Sequence, residues 1–178
     1  MRKIILSGIA LAAALLAAMP ALAQSKASQQ FIKTAIEGNL SEMRMGKLAQ
    51  QKGASEETRA YGRELEQNHT AANAKAVALA QQLGVKPPTE PSKAQRAAYN
   101  RISKFSGTKF DREFAKYMVK DHKEDIADFQ KEAKRKDDRL MGYVNDTLPV
   151  LRKHLADAQT LERQATAARA AAQGNEAR

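Results

Sequence analysis

The sequence predicts an all-α protein built as a four-helix bundle, with a short extra helix in the connection between the second and third long helices. Three observations support this prediction. The 178 residues suit a single domain. Apolar residues recur in steps of three and four along four long segments, as on the buried face of a helix, and no segment alternates as a strand would. Clusters of glycine, proline and serine separate these segments.

The first 23 residues have the three parts of a secretory signal peptide. Two basic residues precede a largely apolar run at 4–18, and Ala21-Leu22-Ala23 offers small residues at a cleavage site. Pro20 is expected to end the apolar helix. We expect cleavage after Ala23, which leaves a periplasmic or secreted chain without a transmembrane segment. Residues 24–165 are predicted to form the bundle domain.

The first two long helices are separated by a short break. The first is expected from about Ser28 to Lys52, and it carries an aliphatic stripe beside a stripe of small residues that includes Gly38 and Gly46. Small residues allow a neighbouring helix to approach closely. The second is expected from Glu56 to Leu83, because Ser55 is a typical N-cap and acidic residues follow it.

The remaining helices follow a proline-rich linker. The short helix is expected from Lys93 to Phe105, because Ser92-Lys93-Ala94-Gln95 matches a capping box. The third long helix is expected from Lys109 to Arg135, and the fourth from Asp138 to about Ala170. Residues 166–178 are rich in alanine and glutamine and are predicted to be a frayed or disordered C-terminal tail.

Acidic residues of the third long helix alternate with lysines. The acids are Asp121, Glu124, Asp125 and Asp128, and the lysines are Lys120, Lys123 and Lys131. Alternating charge along a helix is typical of a solvent-exposed face. We therefore expect all four carboxylates to be solvated on the outer side of the bundle.

Four polar residues interrupt the apolar faces, one on each long helix. Glu42, His69, His122 and His154 each lie near the middle of their helix. Because all four are central, they should meet inside the bundle whichever direction the third helix takes. The sequence therefore predicts a buried polar centre.

Three imidazoles and a carboxylate suit one divalent transition metal ion such as zinc, copper or iron, and bundle interiors hold such sites. Glu42, His69, His122 and His154 are therefore candidate metal ligands. Glu66 lies three residues before His69 and is expected to orient that imidazole. The alternative is a purely structural, hydrogen-bonded polar layer.

Short motifs in all four long helices carry a family resemblance. They are Phe31-x3-Ala35 with Glu42 and Leu48-Ala49, Asn68-His69-Thr70-x2-Asn73, Phe110-Asp111-x5-Tyr117-Met118-Val119-x2-His122, and Leu148-Pro149-x-Leu151-x2-His154-Leu155. Together they resemble, over about residues 31–161, an exported bacterial family catalogued as domain of unknown function 4142. This resemblance implies a ferritin-like bundle in a protein of the outer membrane or the exported fraction, and it implies no particular activity.

The ferritin-like resemblance does not extend to di-iron chemistry. Di-iron bundles carry two Glu-x-x-His motifs and two further carboxylates. This chain has one such motif, formed by Glu66 and His69, while Val119 and Leu151 stand three residues before the other two histidines. Oxidase or ferroxidase activity is therefore not expected.

Composition excludes several further functions. The chain has no cysteine, which removes disulfides, thiolate chemistry and thioether lipid anchors. It has neither a Gly-x-Ser-x-Gly elbow nor a glycine-rich phosphate loop. The 30 basic residues are interleaved with 20 acidic ones. The chain also lacks the aromatic residues among them on which the bases of single-stranded nucleic acids stack.

Two functions remain compatible with the sequence. The first is a non-enzymatic exported bundle that holds a mononuclear transition metal at its His/Glu centre or acts in envelope stress. The second is an interaction protein whose basic surface docks on anionic components of the cell envelope, which a formal net charge of +10 would favour. In the second, the histidine cluster is structural only.

Overall fold

A computed structural model of the chain describes the backbone of residues 10–176 and the side chains of residues 26–171. All regular elements in this part of the chain are α-helices, so the all-α prediction is confirmed there. The helices are α1 (Ala10–Lys52), α2 (Glu56–Gln82), α3 (Lys93–Ile102), α4 (Gly107–Arg135) and α5 (Asp138–Glu176). None of the described helices has the length and apolar content that crossing a membrane requires.

The helix bounds differ from the predicted ones mainly at the outer ends of α1 and α5. α1 begins at Ala10 and continues through Pro20, where we expected a break. A proline removes one intrahelical hydrogen bond, and the alanine-rich sequence around it favours the helix. α5 continues to Glu176, so the predicted tail is helical to that residue, although side chains 166–171 are exposed. Residues 1–9 of the predicted signal peptide lie outside the described residues, and its cleavage stays a prediction.

Serine and glycine residues mark the helix ends as the sequence predicts. The Ser55 hydroxyl accepts a hydrogen bond from the Thr58 backbone N–H at 3.1 Å and begins α2. Ser92 and Gln95 form both bonds of a capping box at the start of α3. Gly84 follows α2 with a φ of 67°, the left-handed conformation that glycine adopts at low cost.

The four long helices surround a common interior. α1 contacts α2 and α4, and α5 contacts the same two helices from the other side. The short α3 contacts α1 and α4. Each long helix therefore turns one face inward, as the spacing of its apolar residues predicts.

The interior contains two apolar clusters that give the helix directions. The first includes Ile32, Ile36, Ala76, Ala80, Phe129, Leu140 and Leu151. The second includes Met45, Leu65, Phe110, Phe114, Met118, Ala158 and Leu161. α1 and α5 run from the first cluster to the second, whereas α2 and α4 run the opposite way. The connection that contains α3 must therefore span the length of the molecule, so that α2 and α4 are parallel.

α1 and α2 approach each other closely at two glycines. A Cβ atom on Gly46 would lie 2.5 Å from the carbonyl oxygen of Gly62, and one on Gly62 would lie 2.7 Å from that of Gly46. The predicted small-residue stripe of the first helix therefore contacts α2 at Gly46. Gly38 differs, because a Cβ there would meet no described atom closer than 3.8 Å.

Candidate metal centre

The four polar residues predicted on separate helices meet between the two apolar clusters. Glu42, His122 and His154 are fully buried, and His69 is 3% exposed. Along each long helix, the polar residue falls between residues of the first cluster and residues of the second. The sequence therefore brings one polar side chain from each helix to the same depth.

The three imidazole rings are close neighbours. The centroid of the His154 ring lies 5.2 Å from that of His69 and 5.3 Å from that of His122, and the last two are 6.1 Å apart. One ring nitrogen of each lies within 4.8 Å of the others. The Glu42 carboxylate contacts His69 Nε2 through Oε2 and lies 3.3 Å from His122 Nε2 through Oε1.

Hydrogen bonds at the outer nitrogens orient two of the rings. His69 Nδ1 donates to the side-chain oxygen of Asn39 at 2.9 Å, and the Asn39 amide in turn donates to the Tyr143 hydroxyl at 3.1 Å. His122 Nδ1 donates to the Met118 carbonyl at 3.0 Å. Protonation at Nδ1 leaves the Nε2 lone pair of each ring directed at Glu42, as in metal-binding histidines.

His154 has the opposite arrangement. Its Nε2 accepts a hydrogen bond from the side-chain amide of Asn68 at 3.0 Å, so the neutral ring carries its proton on Nδ1, the buried nitrogen without a partner. The Tyr61 hydroxyl donates to the backbone carbonyl of His154 at 3.0 Å and holds this part of α5 in place. His154 would offer Nδ1 as its ligand atom once the Asn68 amide turns its oxygen toward Nε2, because the ring proton then lies on Nε2.

The atoms that face the middle of the cluster meet one another and have no hydrogen-bond partner outside the cluster among the described residues. They are both carboxylate oxygens of Glu42, Nε2 of His69, Nε2 of His122 and Nδ1 of His154. Buried polar atoms are normally hydrogen-bonded, and lone pairs that face one another repel. A cation shared by these atoms would turn the repulsion into coordination, so the residues present fit a metal ion.

The charges in the cluster also fit metal binding. Burial alone would raise the pKa of Glu42, but the proximity of His122 and His69, the hydrogen-bonding contact with His69 and the proximity of His154 outweigh burial and lower it to about 2. Burial lowers the pKa of His122, and burial followed by the charge of His69 lowers the pKa of His154 to about 3. At neutral pH Glu42 is thus ionised, while His122 and His154 are neutral, which are the states that bind metals.

Two acidic residues of α4 do not lie where the sequence predicts. We expected Asp121 and Asp125 on the solvated outer face, but both are only partly exposed and point toward Glu42. One carboxylate oxygen of each lies within 4.8 Å of the other and of a Glu42 oxygen. Glu124 and Asp128 are exposed, as expected.

Their environment changes the protonation of both aspartates. Burial, with the charge of Glu42 as the second cause, raises the pKa of Asp121 to about 8. The same two causes raise the pKa of Asp125. The sequence contained a signal for this placement: Asp125 follows His122 by three residues and so lies about 60° from it around the helix axis. The alternating lysines instead suggested that this side of the helix faces solvent.

Glu66 does not orient His69, contrary to our expectation. Its carboxylate accepts a hydrogen bond from Gln50 at 2.7 Å and lies 3.5 Å from the Lys47 ammonium. These partners on α1 hold the side chain away from the imidazole. The side-chain oxygen of Asn39 contacts His69 instead, and the spacing of apolar residues did not single out Asn39 as a partner.

A cleft of about 230 Å³ extends from the surface toward the cluster. Exposed residues such as Asp128 and Lys131 line it, together with Asp125 and His69. Gly38 lines the same cleft, and its missing side chain leaves room beside the Asp125 carboxylate. Water and small ions therefore have a path to one side of the cluster.

Comparison with known proteins identifies a family. A family model described as Domain of unknown function (DUF4142) matches residues 13–161, which include all four polar residues of the centre. Neither a curated protein nor a solved structure matches the chain. Because the family model covers most of the sequence, the chain belongs to the DUF4142 family.

Proposed function

We propose that the chain is an exported, non-enzymatic protein that binds one divalent transition metal ion, zinc, copper or iron, inside a ferritin-like four-helix bundle. The ligands are His69, His122, His154 and Glu42. The observation that carries the proposal is that these side chains turn buried nitrogen and oxygen atoms toward one another, and that these atoms have no hydrogen-bond partner outside the cluster among the described residues. Location in the periplasm rests on the predicted signal peptide.

A purely structural polar layer accounts for the arrangement less well. Such a layer is stabilised by hydrogen bonds among its members, because unpaired buried polar groups cost free energy. The outer nitrogens of His69 and His122 have such bonds, whereas their inner nitrogens face only the Glu42 carboxylate, which His69 Nε2 contacts and from which His122 Nε2 lies 3.3 Å. This contrast between the two sides of each ring is typical of metal-binding histidines.

Binding fits the residues better than catalysis does. Three nitrogen ligands and one carboxylate complete a four-coordinate shell, whereas catalytic zinc sites usually have three protein ligands and an open position. Docking through the basic surface has weaker support, because several exposed lysines already pair with acids. Examples are Lys75 with Asp146, Lys120 with Glu124, and Lys153 with Glu64.

Metal content tests the proposal directly. Purified protein is stripped with a chelator and then equilibrated separately with Zn²⁺, Cu²⁺ and Fe²⁺, and bound metal is measured by mass spectrometry and calorimetry. We expect one tightly bound ion per chain for at least one of the three metals. His122→Ala should weaken binding at least about 100-fold, because it removes a ligand that a water in the opened space replaces poorly.

Two further variants separate binding from folding. Glu42→Gln keeps the size of the side chain while removing its charge, and it should also lose the metal. Glu90→Gln makes the same change at an exposed residue that pairs with Arg44, and it should bind normally. The proposal is wrong if no stoichiometric metal binds under any of the three conditions, or if the folded Glu42→Gln variant binds as the wild type does.

A further inference from the structure

The Glu42 carboxylate has neighbours on two sides, and the proposed metal uses only one of them. On one side are the three histidines. On the other are the carboxylates of Asp121 and Asp125, each with an oxygen within 4.8 Å of Glu42 and of the other. Glu42 is completely buried, and among residues 26–171 its oxygens meet His69 Nε2 and His122 Nε2 and no other nitrogen donor.

Basic side chains of the described region leave the negative charge of this acidic group largely unbalanced. None of the described lysines and arginines lies within ion-pair distance of Asp121 or Asp125, whereas the neighbouring Glu124 pairs with Lys120 at 2.7 Å. Asp121 has the Tyr117 hydroxyl as a hydrogen-bonding neighbour, and the charge of Lys120 offsets only a small part of the unfavourable environment. Placing three carboxylates together in a water-poor interior is unfavourable unless protons or a cation neutralise them, and the raised pKa values of Asp121 and Asp125 mean that protons take this place when no cation is bound.

We propose that Glu42, Asp121 and Asp125 bind a second divalent cation, one that prefers oxygen ligands, beside the histidine-bound metal and with Glu42 shared between the two. This inference rests on the proposed function, since it takes the histidine site as the first of two. In this arrangement the carboxylates for a metal pair do not come from a second Glu-x-x-His motif. They come from positions directly before and three residues after His122, rather than three residues before it.

The ligand chemistry distinguishes the two sites. An all-carboxylate set suits hard cations such as Mn²⁺, Mg²⁺ and Ca²⁺, whereas imidazoles suit zinc and copper. Two oxygens bound to one such cation cannot lie more than about 4–5 Å apart, and the three carboxylates meet this limit because their oxygens lie within 4.8 Å of one another. The cleft that reaches Asp125 supplies the water molecules that complete the coordination of a hard cation.

Manganese added to the zinc-loaded protein tests the second site. One equivalent of Zn²⁺ is bound first, Mn²⁺ is then titrated, and free Mn²⁺ is followed by its electron paramagnetic resonance signal. We expect the wild type to bind one Mn²⁺ per chain without releasing zinc. Asp121→Asn and Asp125→Asn should each weaken Mn²⁺ binding more than about 10-fold and keep their zinc.

Asp128→Asn is the matched control, because Asp128 lies on the same helix and lines the same cleft but is exposed. It should bind Mn²⁺ as the wild type does. Zinc binding without Mn²⁺ binding would overturn the second site alone, and so would equal Mn²⁺ affinity in Asp125→Asn and Asp128→Asn. Loss of zinc in folded Asp125→Asn would overturn the separation into two sites. A wild type that binds neither metal would contradict both proposals.

Discussion

The hydrogen bond at the outer nitrogen of each histidine decides what the ring presents to the cluster. Asn39 accepts from His69 Nδ1, and Tyr143 fixes the orientation of the Asn39 amide. This short chain of bonds links α1, α2 and α5 and sets the tautomer of His69. A residue outside the ligand set therefore controls whether a ligand lone pair is available.

Substitutions at Asn39 are predicted to change the metal affinity. Asn39→Ala removes the acceptor for His69 Nδ1–H, so the ring loses its fixed tautomer, and metal affinity should fall about 10- to 100-fold. Asn39→Asp keeps an acceptor in place and should restore most of that affinity. Calorimetric titration with the tightest of the three metals measures both. Equal affinities in the wild type and Asn39→Ala would show that His69 needs no such partner.

The sequence predicted single residues well where one helix face decided the outcome. Glu42 and the three histidines share the apolar faces of their helices, and spacing alone placed them inside. Asp125 was missed because it lies beside that face rather than on it, among lysines that suggest solvent. Glu66 was assigned wrongly because spacing along one helix cannot show that Gln50 on another helix binds it first.

At the scale of helices, the contact of α1 with α2 depends on two glycines that face each other. Gly46 lies one turn after Glu42, and Gly62 lies two turns before His69. The close approach therefore fixes the distance between two helices that both supply ligands. Added side-chain volume here has to move backbone rather than a flexible side chain.

We expect Gly46→Ala to destabilise the protein by about 1–3 kcal/mol, as overpacking of a tight interior does. Gly142→Ala in α5 is the control: a Cβ there meets no described atom within 4 Å. Because alanine favours helix over glycine, that change should stabilise the protein by about 0.5–1 kcal/mol. Urea unfolding followed by circular dichroism measures both. Stabilisation by Gly46→Ala would contradict the close packing of α1 and α2.

Helix bounds and caps were predictable because serine, glycine and proline act locally. The direction of α4 was not, since it depends on where a long connection crosses the molecule. The two apolar clusters reveal that direction only when residues from all four long helices are seen together. Local chemistry thus determined the helices, and tertiary contacts determined their arrangement.

At the scale of the whole molecule, a polar contact joins the start of the described interior to the turn between α4 and α5. The Ser28 hydroxyl donates to the Asp137 carboxylate at 2.6 Å, and Arg139 donates to the same carboxylate through its guanidinium. The hydrogen bond from the Arg139 side chain is the main cause that lowers the pKa of Asp137 to about 2, and Ser28 adds to the shift. Folding therefore favours the ionised form of Asp137.

This pKa predicts a pH-dependent part of global stability. Because the folded pKa lies below the unfolded value near 4, the ionised Asp137 stabilises the protein above about pH 4, and the contribution is lost as pH falls toward 2. Asp137→Asn should cost about 1–2 kcal/mol at pH 7, and its difference from the wild type should shrink between pH 4 and pH 2 in urea unfolding. Asp146→Asn, which removes only an exposed pair with Lys75, should differ little at either pH. A difference for Asp137→Asn that stays constant down to pH 2 would refute this role of the charge.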